Sequence, residues 1–303
     1  MRLKFHTVDV FTTRRFAGNP LAIVEGADGL STEAMQTIAR EFNLSETIFV
    51  QTPEDPIHTA KVRIFFPTDE ISFAGHPTIG CAIHLALAKH QGNGNFDTVI
   101  TLEEVAGLVP VNVMRKAGVV TAQFTAPIIP YPAQGDIPTA ETAAAALGLE
   151  AADIGFAGHR LGLFVGGPTF AFVPLASREA LTRAKPAEPA WSRMTGAANT
   201  VGVYCYTPGG GDPETAYRAR MFAPTGGIPE DPATGSASAL LAAQLLASGE
   251  LKEGTNTFRL EQGYEMGRPS DIGLEISLAA GKIEAVMISG SSVTVSEGEI
   301  EVD

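Results

Sequence analysis

RARMFAPTGGIPEDPATGSASALLAA (residues 218–243) joins a β-type run to a Pro/Gly-rich loop and then to an Ala/Leu-rich helix. The loop delivers Asp231, Thr234, Gly235 and Ser236 to the start of that helix. The first amides of a helix have no partner within it, and small residues leave them open to a ligand, by preference an anion. The same design occurs earlier, in RIFFPTDEISFAGHPTIGCAIHLALA (residues 63–88). Side by side, Arg63 falls on Arg220, Phe65 on Phe222, Pro67 on Pro224, Thr68 on Thr225 and Ile71 on Ile228. One further residue of offset puts His76 on Thr234 and Thr78 on Ser236. Downstream, ITLEEVAG (from Ile100) matches FRLEQGYE (from Phe258). Upstream, TIFVQTP (from Thr47) matches GVYCYTP (from Gly202), and AGNPLAIV (from Ala17) is similar to VGGPTFAFV (from Val165). Two long copies mean duplicated domains rather than a solenoid.

The bulk properties agree with two ordinary domains. The chain has 303 residues, 45% of them apolar, and a mean hydropathy of +0.11, values of a globular rather than a disordered chain. A net charge of −13 argues against nucleic acid and anionic membrane surfaces as partners. A small anion still fits, because local amides act at short range while bulk charge is screened. The two cysteines, Cys81 and Cys205, fall in apolar runs and read as buried free thiols of a reducing compartment. MRLKFHTVDVF alternates like a strand and lacks a signal peptide's apolar core, and no run reaches membrane-span length, so a cytoplasmic location is expected.

In chain order, Leu3–Phe11 and Leu21–Val24 read as strands, and Thr32–Phe42 as an amphipathic helix with Met35, Ile38, Ala39 and Phe42 on one face. Thr47–Val50 reads as a strand, which leaves Glu46 in the preceding turn with Val201 as its counterpart in the second half. Strands follow within Val99–Val113 and Val119–Phe124, and the proline-rich Ala126–Pro132 reads as the connection between halves. The second half is predicted to hold helices at Thr139–Leu147, closed by Gly148, and Ala190–Ala198, with strands at Phe170–Val173, Gly273–Leu278 and Val286–Val295. Thr207–Pro213 (TPGGGDP) lacks the Lys-Ser/Thr and the helix of a phosphate cradle and reads as a hairpin turn. The expected domains are 1–127, to which 288–303 return, and 128–287.

No dinucleotide fingerprint, Walker loop, zinc-protease helix or nucleophile elbow is present. His84 and His90 share a helix with His76 at spacings that make no metal pair with it, so no metal is expected. What remains is Glu46, His76, Asp231, Ser236 and two helix N-termini. Helix amides would hold a carboxylate, while a carboxyl in an apolar cleft can take and return a proton. That set suits proton movement on a small carboxylic acid without a cofactor.

VDVFTTRRFAGNPLAIV, NLSETIFV, FAGHPTIG, GIPEDPATGSA and EQGYEMGRPS resemble, in order, the signatures of the PhzF-like isomerases of phenazine biosynthesis. The resemblance covers nearly the whole chain. It implies an α+β, diaminopimelate-epimerase-like fold of two pseudo-symmetric domains, each a mostly antiparallel sheet wrapped round a central helix, with the active site in the cleft between them. It further implies Glu46, His76 and Asp231 as catalytic, Gly75, His76, Asp231, Gly235 and Ser236 as substrate-binding, and a homodimer. In the phenazine enzyme the counterpart of Glu46 shuttles a proton between ring carbons of dihydro-3-hydroxyanthranilate. The related epimerases carry a cysteine at each helix start; here those places hold Ala74–Gly75 and Pro232–Ala233, which argues against two-thiol racemisation. Ser72 stands where family members often have proline. Two other readings remain open: an amino- or hydroxy-acid epimerase or racemase, and a small-acid binding protein without turnover.

Overall fold

A computed structural model describes residues 1–302. The chain divides into two units, Met1–Thr125 with Ser289–Asp303, and Ala126–Ile288. The first contains β1 (Arg2–Val10), β2 (Asn19–Val24), α1 (Thr32–Phe42), β3 (Glu46–Gln51), β4 (Ala60–Phe65), β5 (Glu70–Ile71), α2 (Gly75–Lys89), β6 (Phe96–Glu104), β7 (Gly107–Lys116) and β8 (Val119–Thr125). The second contains β9 (Tyr131–Pro132), α3 (Ala140–Leu147), β10 (Gly162–Val165), β11 (Thr169–Pro174), α4 (Arg178–Arg183), α5 (Ala190–Ala198), β12 (Gly202–Pro208), β13 (Tyr217–Ala223), β14 (Ile228–Asp231), α6 (Gly235–Ala247), β15 (Gly254–Gln262) and β16 (Ser270–Ala279). Strand β17 (Lys282–Glu301) follows the two-residue turn Ala280–Gly281. Both turn residues have positive φ, the geometry that matches hairpin twist. Its residues from Ser289 onward belong to the first unit, where they pair antiparallel with β1.

Each unit is a mixed α+β structure in which antiparallel neighbours dominate. In the first, β1–β2, β3–β4, β6–β7 and β7–β8 are antiparallel, while β2–β3 and β4–β6 are parallel. The second repeats the scheme, with β11–β12 and β13–β15 parallel. Helix α1 lays Met35 and Ala39 against Leu3, Val24, Phe49 and Phe65. Helix α2 lies across β1, β2, β3, β6, β7 and β8, and α6 across β9, β10, β11 and β16. Both are apolar nearly all round, as a helix must be when strands cover several of its sides.

Strand registers fix which residues of the two units correspond, and they shift part of the sequence alignment. Leu21 faces Glu46 and Thr47 faces Phe65; in the second unit Phe170 faces Gly202 and Val203 faces Phe222. The counterpart of Glu46 is therefore Gly202, not Val201. A Cβ on Gly202 would lie 2.9 Å from the Phe222 carbonyl oxygen, so that place admits no side chain. Ile64 pairs with Ile71 and Met221 with Asp231, which puts Ile71 on Asp231 rather than on Ile228. The helices begin after Ala74 and after Thr234, so His76 corresponds to Ser236 rather than to Thr234, and Thr78 to Ser238. The cause is the 3₁₀ turn Pro224–Gly226, closed by Gly227 at φ 82°, which lengthens the second copy's loop. The helix after it is shorter, 13 residues against 15, which restores the earlier offset. One salt bridge confirms the revised match: Arg63 chelates Glu70 at 2.7 and 2.5 Å, and Arg220 chelates Glu230 at 2.8 and 2.8 Å.

The Gly-rich loop 207–213 also has a structural occupant. Backbone N–H groups of Gly211 and Asp212 and the Thr215 hydroxyl donate to the Glu261 carboxylate at 2.7, 3.0 and 2.9 Å. Glu103 fills the matching role in the first unit, accepting from the Glu54 and Asp55 amides at 2.7 and 2.9 Å. These loops are held by the chain's own carboxylates. Cys81 and Cys205 are buried free thiols.

Candidate active site

Glu46 is the first residue of β3, inside the sheet rather than in the turn before it, because its backbone pairs with Leu21 of the parallel neighbour. Only 7% of the residue is exposed. Its Oε2 lies 3.3 Å from Nδ1 of His76, the second residue of α2. Asn19 Nδ2 lies 3.3 Å from the same ring nitrogen. Asn19 is brought there by Gly18 at φ 66°, where a Cβ would overlap the Val10 carbonyl oxygen at 2.2 Å.

Burial pushes the His76 imidazole down to about 3, against a hydrogen bond to the Pro20 backbone that raises it. The ring is therefore neutral at physiological pH. Nδ1 thus lies between the Asn19 amide and the Glu46 carboxyl group, while Nε2 has no partner among the described residues. The consequence is a neutral imidazole and a buried carboxyl group side by side at the start of a helix.

The second unit surrounds its own helix start differently. Asp231 ends β14 and is 6% exposed. The Thr234 hydroxyl donates to Asp231 Oδ2 at 2.6 Å. Gln262, the last residue of β15, accepts from the Thr234 amide at 3.1 Å and donates to the Asp231 carbonyl at 2.8 Å and to Thr234 Oγ1 at 3.0 Å. Gly263, at φ 76°, allows the next turn to pass close to Pro232, whose carbonyl oxygen would lie 2.6 Å from a Cβ. Gly235 and Ser236 then open α6, with Ser236 half-buried.

Neither α2 nor α6 is capped by its own side chain. Helices α1, α3 and α4 are, through Ser31, Thr139 and Ser177. The first amides of α2 and α6 thus keep donor capacity that the other three use internally. Within α2 the donors are Gly75 and His76, because Pro77 has no N–H and the Thr78 amide bonds to the Ala74 carbonyl.

Glu104 also reaches this region, from the end of β6. Thr78 Oγ1 is 2.8 Å from the Ala74 carbonyl oxygen and 2.7 Å from Glu104 Oε1. The Thr78 hydroxyl has one proton to share between these two acceptors. Burial pushes the Glu104 carboxyl up to about 8, against the Thr78 hydrogen bond, which lowers it. Its counterpart in the second unit is Gln262, a residue pair readable from the ITLEEVAG/FRLEQGYE match. The sequence places Thr234 at the helix start but gives it no partner, and it singles out none of Asn19, Glu104 or Gln262. They act through other side chains, and only their tertiary neighbours reveal it.

Two α+β units, each carrying a buried carboxylate at the approach to an uncapped helix, are the setting of an isomerase-class enzyme, and the similar proteins agree. The model of the phenazine biosynthesis-like proteins (PhzC–PhzF) matches residues 8–298, and the chain belongs to that family of isomerases. An uncharacterized isomerase of Mesorhizobium japonicum is 42% identical over 296 residues, covering 96% of each chain. Trans-2,3-dihydro-3-hydroxyanthranilate isomerase of Pseudomonas chlororaphis is 35% identical over 295 residues, covering 97% of each. The crystal structure of a PhzF-family phenazine biosynthesis protein of Bacillus anthracis superposes with a TM-score of 0.86 at 24% identity and covers 100% of each chain, a likeness of fold. Among the described residues, no helix is long and apolar enough to cross a membrane.

Proposed function

We propose that this protein is a cofactor-independent isomerase that moves a proton within a small carboxylic acid, with Glu46 as the acid–base group. The observation that carries the reading is the buried Glu46 carboxylate 3.3 Å from a neutral His76 whose Nε2 has no partner among the described residues. Glu46 takes a proton from a C–H carbon of the substrate, the electron pair shifts along the conjugated system, and Glu46 returns the proton at another carbon. Substrate and product are isomers, so no oxidant, reductant or second substrate is needed. His76 Nε2, without a partner among the described residues, hydrogen-bonds a polar group of the substrate. Asp231, braced by Thr234 and Gln262, serves as the second polar contact and acid–base group. The uncapped amides at Gly75–His76 suit a substrate carboxylate, as do those at Gly235–Ser236 with the Ser236 hydroxyl.

The relative in Pseudomonas chlororaphis is named for trans-2,3-dihydro-3-hydroxyanthranilate. That compound, an amino-bearing cyclic carboxylic acid, is the first substrate to test. In deuterated buffer the enzyme should convert it with deuterium incorporated at the carbon that is protonated. Glu46→Gln should abolish both conversion and exchange while binding is retained. Conversion at the wild-type rate by Glu46→Gln would overturn the assignment of the base. Exchange with inversion at one stereocentre would instead identify an epimerase. Tight binding without exchange by the wild type, across cyclic and acyclic carboxylates, would identify a binding protein.

A further inference from the structure

Further along α2, a second group of donors gathers within the first unit. His84 lies about 12 Å along the helix axis from His76. Its Nε2 is 2.6 Å from Oε1 of Glu25, the residue that follows β2. His6, in the middle of β1, places its own Nε2 3.3 Å from the same oxygen. The two imidazole rings are 4.4 Å apart, and one donor atom from each of the three residues lies within 4.8 Å of the other two. All three side chains are partly exposed, so an ion can enter from solvent.

We propose that His6, Glu25 and His84 form a binding site for a divalent transition-metal ion of the zinc class. Two imidazole nitrogens and one carboxylate oxygen are a donor set zinc favours, and tetrahedral zinc with bonds of about 2.0–2.1 Å places its ligands about 3.3 Å apart. The two nitrogen–oxygen separations here, 2.6 and 3.3 Å, are at or below that value, and both rings present Nε2 to the same Glu25 oxygen. Three protein ligands leave a fourth position for water. Behind His6, Glu297 Oε2 lies 3.8 Å from Nδ1, on the residue directly opposite His6 across the β1–β17 pair. The negative charge of Glu297 faces the ring nitrogen on which a metal-bound imidazole carries its proton.

The duplicated fold supplies an independent argument. By strand register and helix start, the counterparts of His6, Glu25 and His84 in the second unit are Gly162, Pro174 and Gln244. There Gln244 Nε2 simply donates to the Arg160 carbonyl at 2.7 Å and to the Tyr206 hydroxyl at 2.9 Å. The architecture therefore stands without these donors, and their convergence in one unit is not a requirement of packing. Spacing along the helix does not register the site, because one donor comes from a strand and another from the residue after a strand.

The test uses the full-length protein, stripped with chelator and titrated with zinc chloride in a calorimeter, with cobalt(II) absorption as a reporter of coordination. The wild type should bind one equivalent, melt at a higher temperature with zinc, and give the visible bands of a low-coordinate cobalt site. His84→Gln, which installs the residue of the second unit, should lose all three responses, and Glu297→Gln should weaken binding about tenfold. Unchanged affinity and stoichiometry in His84→Gln, or no binding by the wild type, would overturn the proposal. If His84→Gln does not fold, zinc-edge anomalous diffraction from wild-type crystals decides. A peak among His6, Glu25 and His84 supports the site, and a peak elsewhere or none refutes it. None of these readouts depends on isomerase activity.

Discussion

The two units share a strand plan and a helix start, Ala74–Gly75–His76 in one and Thr234–Gly235–Ser236 in the other, yet they place opposite things at the matching positions. Where the first has Glu46, the second has Gly202 with no room for a Cβ. Where the first buries Glu104, a carboxyl pushed up to about 8, the second has Gln262, a neutral amide whose oxygen and nitrogen are both used. The scaffold is thus a repeat, while Glu46 and Glu104 are peculiar to one copy. A duplicated framework maintains geometry, and single substitutions then decide which copy carries charge.

The strongest way to break that contrast is Glu46→Gln. Removing a positioned acid–base group costs about 10²–10⁴ in rate, so kcat for any isomerised substrate should fall by that factor with an unchanged melting temperature. An equal loss of folding would show that Glu46 is structural.

Next in size is Glu104→Gln, which makes the first unit resemble the second. A carboxyl whose folded value, about 8, exceeds its ordinary 4.5 binds its proton more tightly in the native state. Its contribution is therefore fully present below about pH 4.5 and lost as pH rises through 8. Glu104→Gln should remove that loss and gain a few kcal/mol over the wild type at pH 9. Chemical denaturation at pH 5 and pH 9 measures the difference, and a gain of the same size at both would refute the buried-acid account.

His76 has the opposite sign. Its folded value, about 3, lies below the ordinary 6.5, so the stability it contributes is present above pH 6.5 and lost as pH falls toward 3. His76→Asn should flatten the fall in stability between pH 6 and pH 4, read by the same denaturation curves. If the wild type and His76→Asn decline in parallel, the imidazole is not held neutral by burial.

Gly202→Ala tests the position of the second copy that matches Glu46. A Cβ 2.9 Å from the Phe222 carbonyl oxygen should cost about 1–3 kcal/mol of stability. The same substitution leaves Glu46 and its surroundings in the first unit untouched. Smallest is Ser31→Ala, which removes the cap of α1 and should cost about 1 kcal/mol, whereas Ala74→Ser, at the start of α2, should hinder ligand binding more than it stabilises the helix. Ligand titration and thermal melts of the pair separate a helix start used for folding from one kept for binding.

Much of this organisation was legible in the residues alone. The amphipathic spacing of Thr32–Phe42 and the Gly148 stop predict α1 and the end of α3, because both follow from local geometry. The paired loop–helix segments show the duplication, since the same side chains recur in the same order. The family motifs point to Glu46, His76, Asp231 and Ser236. Local pattern did not show that Glu46 lies within a strand, that Gly202 is its counterpart, or that Ser236 matches His76. An inserted turn and a shortened helix cancel over the length of the repeat, and only hydrogen-bonded register reveals where the offset changes. The Glu104–Thr78 contact, the Thr234–Gln262 brace and the His6–Glu25–His84 group join residues from separate elements. Sequence determined which elements form and which motifs they carry; tertiary structure decided which side chains are desolvated together, because burial and pairing are properties of neighbours that no local pattern contains.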